Sequence, residues 1–239
     1  KSVAGQRHVV TTLQNAIKLN KVAHAYLFSG PRGTGKTSMA KIMAKALNCV
    51  HGPTTEPCNE CEICKGITKG TISDIVEIDA ASNNGVDEIR DLRDKVKYLP
   101  SECRYKVYII DEVHMLSVSA FNAFLKTLEE PPRHAIFILA TTEKHKILPT
   151  ILSRCQIYDF NRISVVQHLA YVASKENITA EPEALNVIAL KADGGMRDAL
   201  SIFDQVVSFT GGHITYKSVI ENLNVLDYEY YFRLTDCFL

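Results

Sequence analysis

Residues 30–37 form a glycine-rich segment with the sequence Gly-Pro-Arg-Gly-Thr-Gly-Lys-Thr. The apolar run 23–29 before it predicts a buried strand, and helical spacing of apolar residues over 37–47 predicts a helix after it. In this setting, backbone N–H groups can surround phosphate oxygens at the positive end of the helix. The sequence therefore predicts a P-loop for a nucleoside triphosphate, with candidate contacts from Gly30, Pro31, Arg32, Gly33, Thr34, Gly35, Lys36, Thr37 and Ser38.

A second apolar strand ends in two adjacent carboxylates, Asp111 and Glu112. Lys36 is expected to reach the β- and γ-phosphates of ATP, and the Thr37 hydroxyl to bind Mg²⁺. Adjacent side chains leave a strand end in different directions, so Asp111 can hold Mg²⁺ through water while Glu112 faces the attacking water as general base. These residues predict an ATPase.

The tetrad 111–114, Asp-Glu-Val-His, also has the form of a helicase box, but that interpretation needs a second sheet domain.

Predicted strands and helices alternate as far as residue 162, and the central strands are continuously apolar. This pattern is typical of a parallel sheet covered by helices on both faces, so we expect an α/β domain over residues 1–162. Only helical patterns follow, which predicts a small helical domain over 163–223. The predicted strands are 23–29, 74–79, 105–111, 135–141 and 156–160, and the predicted helices are 6–19, 37–47, 86–96, 117–128, 164–176, 181–192, 196–209 and 215–223.

The composition is that of a folded protein with no dominant charge. Of 239 residues, 46% are hydrophobic and 23% are charged, which is ordinary for globular proteins. The 27 basic and 27 acidic residues balance, so binding through a gross positive charge is not expected, although a local basic strip is compatible with this balance. No apolar run approaches the roughly 20 residues that cross a membrane, and we expect a cytoplasmic protein without membrane contact.

Four of the seven cysteines are clustered, with the spacing C-x8-C-x2-C-x2-C: Cys49, Cys58, Cys61 and Cys64. Thiolates separated by two residues can bind one ion through a tight turn, and four of them make a closed tetrahedral Zn²⁺ site. We therefore expect a structural zinc module at 49–64, inserted in the α/β domain, with His51 as an alternative ligand. The remaining cysteines are expected to pack in or near the core.

These motifs together resemble the AAA+ ATPases and, within them, the γ/τ subunits of the bacterial DNA polymerase III clamp loader. The resemblance covers nearly all of residues 3–223. It is carried by the P-loop, the cysteine cluster and the segments EIDAASNNGVDEIRDLRD, YIIDEVHMLS, FNAFLKTLEEPP, LATTE, ILSRC and GGMRDALS. It implies a motor subunit that binds and hydrolyses ATP, assembles with other clamp-loader subunits, and loads a sliding clamp onto primed DNA.

The resemblance also implies roles for three residues outside the P-loop. Thr142 matches the sensor-1 position, which would hydrogen-bond the γ-phosphate or the attacking water. Arg154, in Ser-Arg-Cys, matches the arginine finger and would act in trans on a nucleotide bound by the neighbouring subunit. Arg197, in Gly-Gly-Met-Arg-Asp, matches sensor 2, which would reach the nucleotide from the helical domain.

Contacts with DNA and with other subunits are implied less directly. Arg90 matches a position that faces DNA, although a solvated helix face is the alternative interpretation of its segment. Residues 83–85 beside it, Asn-Asn-Gly, stand where basic residues would be expected. The resemblance implies that residues 224–239 begin a C-terminal helical collar, which is the main oligomerising element of the family. The chain by itself is therefore expected to be monomeric or to associate weakly.

Two other functions share the ATP site. An AAA+ helicase or branch-migration motor would use the same P-loop, but it gives no reason for the zinc module or for Ser-Arg-Cys. A nucleotide-binding scaffold without hydrolysis would not need the intact set of Lys36, Thr37, Asp111, Glu112 and Arg197. A polymerase active site is not expected, since the sequence offers no separated pair of metal-binding carboxylates for nucleotidyl transfer.

Overall fold

The computed structural model describes residues 5–83, 85–162, 164–193 and 195–223. These residues form two compact units, which divide in the sequence between Asn161 and Arg162. The expected start of a collar at 224–239 lies outside the described residues. Of the described helices, none has both the length and the apolar character that crossing a bilayer requires.

The first unit alternates strands and helices, as its sequence pattern predicts. All five strands are parallel, in the order β2-β3-β4-β1-β5. Short 3-10 turns follow β3 at Val113–Met115 and β4 at Lys144–Lys146. The elements are α1 (Arg7–Lys18), β1 (Ala25–Ser29), α2 (Lys36–Asn48), α3 (Glu62–Lys69), β2 (Ile75–Asp79), α4 (Val86–Val96), β3 (Lys106–Asp111), α5 (Val118–Glu129), β4 (Ala135–Thr141), α6 (Pro149–Leu152) and β5 (Gln156–Asp159).

The sheet separates two apolar cores, because successive strand residues point to opposite faces. Leu27 of β1 packs with residues of α4 and α5, whereas its neighbours Tyr26 and Phe28 pack with residues of α1 and α2. In the first core, the rings of Phe124 and Phe137 meet edge to face with their centroids 5.3 Å apart. Both faces of the sheet are therefore covered, and the predicted α/β class is confirmed.

The carboxyl ends of the central strands meet at one edge of the sheet. Ser29 at the end of β1 pairs with Thr141 at the end of β4, and Ile110 of β3 pairs with Leu139 of β4. The Gly30 N–H donates to the Thr141 carbonyl oxygen over 3.2 Å. The residues that follow these strands are therefore neighbours, at the edge where parallel α/β sheets place their ligand sites.

The second unit is mainly helical, with a core that includes Leu169, Ile188, Phe203 and Val219. Its elements are α7 (Val165–Lys175), β6 (Thr179–Ala180), α8 (Pro182–Lys191), α9 (Met196–Thr210), β7 (His213–Ile214) and α10 (Tyr216–Leu223). The expectation that no strands follow Asn161 is wrong in one respect, since β6 and β7 pair in parallel. Two-residue strands are too short to show the alternating pattern by which a strand is recognised.

Candidate functional site

The P-loop adopts backbone angles that only glycine adopts readily. Gly30, Gly33 and Gly35 have φ values of +150°, +74° and +90°. At Gly30 a side chain would also have no room, because a Cβ there would lie 2.3 Å from the Phe160 carbonyl oxygen. Helix α2 begins directly after Gly35, and no side chain caps its first turn. Its first N–H groups are therefore available to an anionic ligand.

Lys36 folds back onto the loop that precedes it. Its Nζ donates to the carbonyl oxygens of Gly30 over 2.7 Å and Pro31 over 2.8 Å. The buried hydroxyl of Thr34 donates to the same Pro31 oxygen over 2.9 Å. Burial lowers the pKa of Lys36, and the nearby carboxylates of Glu112 and Asp111 oppose this shift. Two other predicted contacts, Arg32 and Ser38, are exposed at the loop and the first turn of α2.

The two predicted magnesium ligands are in direct contact. The Thr37 hydroxyl donates to Oδ2 of Asp111 over 2.6 Å, although the residues are 74 positions apart in the sequence. A hydroxyl and a carboxylate supply the oxygen ligands that Mg²⁺ prefers. At this separation both oxygens can reach one cation, so the residues present fit the ion that the sequence implied.

Glu112 and Thr142 are also brought together. The Glu112 backbone is left-handed, with φ +46°. Its Oε2 accepts hydrogen bonds from the Thr142 hydroxyl over 3.0 Å and from the Thr142 N–H over 3.3 Å. A non-glycine residue in this conformation costs about 1–3 kcal/mol, and such residues concentrate at functional sites.

Arg154 is bound to its own chain at the surface of the first unit. One guanidinium nitrogen lies 2.8 Å from Oε1 of Glu129, and another donates to the Thr150 carbonyl oxygen over 2.7 Å. These partners belong to α5 and α6 rather than to the P-loop. The side chain remains 32% exposed. The adjacent Cys155 packs against the core, and burial raises the pKa of its thiol to about 12.

The other two predicted arginines are exposed. Arg197 lies in the first turn of α9, in the second unit. Arg90 lies on α4, where its guanidinium is 3.2 Å from Oδ1 of Asp87 in an ion pair whose side chains are 59% and 91% exposed. Such surface pairs contribute about 0–1 kcal/mol, so this one holds Arg90 only weakly.

The four clustered cysteines form a compact group of sulfurs. All four Sγ atoms lie within 4.8 Å of one another, and those of Cys49 and Cys58 are 3.5 Å apart. A tetrahedral zinc site with Zn–S bonds of about 2.3 Å has sulfurs about 3.8 Å apart, which this group fits. Cys49 ends α2 and Cys61 caps α3, accepting the Cys64 N–H. Helix α3 was not predicted, because its start lies within the cysteine-rich segment.

Backbone N–H groups and mutual proximity shift the cysteine pKa values in opposite directions. Burial raises the pKa of Cys61, but hydrogen bonds from the Val50 and Cys64 N–H groups and with the Cys64 and Cys58 side chains together lower that pKa to about 6. Burial and the neighbouring sulfurs of Cys61 and Cys49 raise the pKa of Cys64 to about 12. Four sulfurs at these separations form a set of ligands that could hold one metal ion.

Two residues that contact the predicted ones, Glu129 and His114, were not among the residues predicted from the sequence. Glu129 pairs with Arg154, 25 positions away. His114 lies 3.3 Å from Oε2 of Glu112 with one ring nitrogen and 3.3 Å from Oε1 of Glu143 with the other. These contacts join turns and helices that are distant in the sequence. The Asp-Glu-Val-His tetrad was the one signal that pointed to His114.

Two family models match the chain. One, described as DNA polymerase III, delta subunit, covers residues 5–164. The other, described as DNA polymerase III clamp loader subunit, ATPase lid domain, covers residues 164–212.

Two relatives illustrate the similarity of sequence. DNA polymerase III subunit tau of Bacillus subtilis is 66% identical over 212 residues, which are 87% of this chain and 38% of that protein. DNA polymerase III subunit gamma of Buchnera aphidicola subsp. Acyrthosiphon pisum is 45% identical over 242 residues, which cover 100% of this chain and 67% of that protein. The chain thus spans less than half of the Bacillus relative.

A solved structure shows the same fold at a much lower identity. It is the Holliday junction branch migration motor RuvB of Thermotoga maritima, with a TM-score of 0.65 and 20% identity. The match covers 93% of this chain and 70% of that one. At this identity the likeness concerns the fold alone.

Proposed function

Because the chain belongs to the tau/gamma family of DNA polymerase III clamp loader subunits, we propose that it hydrolyses ATP to load a sliding clamp onto primed DNA. The observation that carries the proposal is the convergence of Lys36, Thr37, Asp111 and Glu112 at one edge of the sheet. The family that the sequence motifs resemble is also the one that the comparisons support.

ATP binding depends on the P-loop and its lysine. The uncapped first turn of α2 and the loop N–H groups hold the phosphates, and Lys36 exchanges its carbonyl partners for phosphate oxygens. Thr37 and Asp111 would hold Mg²⁺, which would supply positive charge to the phosphates. Arg197, which resembles the family's sensor-2 residue, is the candidate for a further positive charge on the phosphates.

Hydrolysis depends on Glu112 and Thr142. Glu112 takes a proton from the attacking water, a contribution of about 10²–10⁴ in rate for a general base. Its carboxylate accepts the Thr142 hydroxyl, so Thr142 orients either this base or the water that it activates. Arg154 of a neighbouring subunit stabilises the charge that develops on the γ-phosphate. Its partly exposed side chain at the surface of the first unit supports a role toward another chain.

The proposed partners are other clamp-loader subunits, the sliding clamp and primed DNA. Arg90 is the candidate DNA contact, because its guanidinium is exposed and only weakly paired. Because the chain has no net charge, we expect it to contact DNA phosphates only through a local basic surface. Other subunits would contribute the remaining phosphate contacts. We place this activity in the cytoplasm of a bacterial cell.

The proposal is tested by measuring ATP turnover of the full-length protein in its complex with the partner subunits. We expect strong stimulation that requires both the sliding clamp and primed DNA. Stimulation by DNA alone, indifferent to the clamp, would favour a branch-migration type of motor. Absence of turnover in the complete complex would favour a nucleotide-binding scaffold.

Zinc at Cys49, Cys58, Cys61 and Cys64 would join the end of α2 to the start of α3, because the cysteines belong to both ends. We expect one zinc per chain by elemental analysis. Cys64→Ser should release it and lower the melting temperature by about 5–10 °C, which corresponds to a few kcal/mol in a protein of this size.

Cys103→Ala is the matched control for the zinc experiment, since Cys103 is a free cysteine outside the cluster. This variant should keep its zinc. A wild-type protein without zinc, or a Cys64→Ser variant with unchanged zinc content, would contradict the proposed centre.

A further inference from the structure

His114 is a buried histidine beside the proposed general base. It belongs to the turn that follows Glu112, and its side chain is only 6% exposed. Its Nδ1 lies 3.0 Å from Oγ1 of Thr141 and 3.3 Å from Oε2 of Glu112. Its Nε2 lies 3.3 Å from Oε1 of Glu143. The imidazole thus bridges the end of β3 and the segment that follows β4.

The neighbours of the ring restrict where its proton can be. Thr141 Oγ1 already accepts the Glu143 N–H over 3.0 Å, so its hydroxyl proton can be donated to Nδ1. A neutral ring with its proton on Nε2 then donates to Glu143 and accepts from Thr141. Hydrogen bonding to Lys146 lowers the pKa of Glu143, which keeps this acceptor ionised.

The Nδ1 edge of the ring determines how the Glu112 carboxylate is held. Oε2 of Glu112 accepts hydrogen bonds from the hydroxyl and from the N–H of Thr142. Nδ1 of His114 lies 3.3 Å from the same oxygen. With the ring proton on Nε2, the Nδ1 lone pair faces Thr141 and Oε2 of Glu112, which disfavours a closer approach of that carboxylate oxygen. The ring therefore limits the directions in which the Glu112 carboxylate can turn.

We propose that His114 is a positioning residue, which sets the direction of the Glu112 carboxylate through its Nδ1 edge while Thr141 and Glu143 hold the ring. The inference rests on the proposed function, because it assumes that Glu112 is the general base. Since a displacement of about 1 Å at a reacting group can cost about 10²-fold in rate, loss of this ring should slow hydrolysis by about that factor. Nucleotide binding should not change, since the contacts of the His114 ring are with Thr141, Glu112 and Glu143, none of which belongs to the P-loop.

Two amide variants distinguish the contribution of Nδ1 from that of Nε2, because each keeps a polar group near only one of these nitrogens. His114→Asn keeps a polar group near the position of Nδ1, whereas His114→Gln keeps one near the position of Nε2. We expect His114→Asn to retain most of the single-turnover hydrolysis rate in the full complex with clamp and primed DNA. His114→Gln and His114→Ala should be slower by about 10²-fold, with ATP affinity and melting temperature close to those of the wild type.

The inference is overturned if Asn and Gln variants hydrolyse ATP at the wild-type rate. It is equally overturned if both lose activity together with melting temperature or ATP affinity, because His114 would then be a packing residue only. Glu112→Gln distinguishes this failure from a failure of the proposed function. An active wild type with an inactive Glu112→Gln supports the proposed function whatever His114 does. An inactive wild-type complex would remove both.

Discussion

A Lys36→Ala variant is expected to lose measurable ATP binding while it keeps its fold. The Lys36 ammonium makes two short hydrogen bonds to P-loop carbonyls, and we expect phosphate oxygens to replace them. Two charge-assisted hydrogen bonds of about 1.5–3 kcal/mol each correspond to a loss of about 10²- to 10⁴-fold in affinity. The measurement is a calorimetric or fluorescence titration with ATP and Mg²⁺.

Lys41→Ala is the matched control for this titration. Lys41 lies on the same helix, α2, but its Nζ forms a surface ion pair with Glu77 over 2.9 Å. Removing it should leave ATP affinity unchanged, because a surface pair contributes about 0–1 kcal/mol to stability and lies outside the loop. Equal affinity of Lys36→Ala and Lys41→Ala would contradict the assignment of the P-loop as the ATP site.

An Arg154→Ala variant is expected to bind ATP normally and to lose the turnover that clamp and primed DNA stimulate. An arginine supplied in trans contributes about 10³–10⁵ in rate, so the loss should be of that order. The fold should tolerate the change, since the ion pair with Glu129 lies at the surface and is partly exposed. The measurement compares ATP affinity and stimulated turnover in the assembled complex.

Arg133→Ala serves as the control for Arg154, because it removes another exposed arginine that follows α5. It should keep full stimulated turnover. If clamp and primed DNA stimulate ATP turnover of the Arg154→Ala complex as strongly as that of the wild type, Arg154 does not act in trans. A loss of ATP binding in that variant would instead indicate that Arg154 serves the site of its own chain.

The order of the motifs allowed much of the first unit to be predicted. Strands followed by helices imply a parallel sheet, and parallel strands bring their carboxyl ends to one edge. The meeting of Thr37 with Asp111 follows from this topology, even though the residues are far apart in the sequence. The resemblance to the clamp-loader family, which the motifs carried, is likewise confirmed by the family models.

The contacts around His114 and Arg154 could not be predicted in the same way. They depend on how a short turn after β3 is oriented and on how the end of α5 packs beside α6, neither of which has a periodic signature. Helix α3 was not predicted, because the Cys61 sulfur caps its first turn in place of the Ser, Thr, Asp or Asn side chain that usually marks the start of a helix. The pairing of β6 with β7 involves too few residues to leave a pattern.

The hydrogen bond between Thr37 and Asp111 has a consequence for how a cation would be received. Because the hydroxyl proton is directed to Oδ2 of Asp111, the threonine oxygen keeps lone pairs for another partner. The second carboxylate oxygen, Oδ1, accepts the Glu112 N–H over 2.9 Å, so the carboxyl group cannot rotate freely. Both ligands thus lose their rotational freedom when the protein folds. An arriving magnesium ion meets oxygens that are already ordered, and the entropy of ordering them does not oppose its binding.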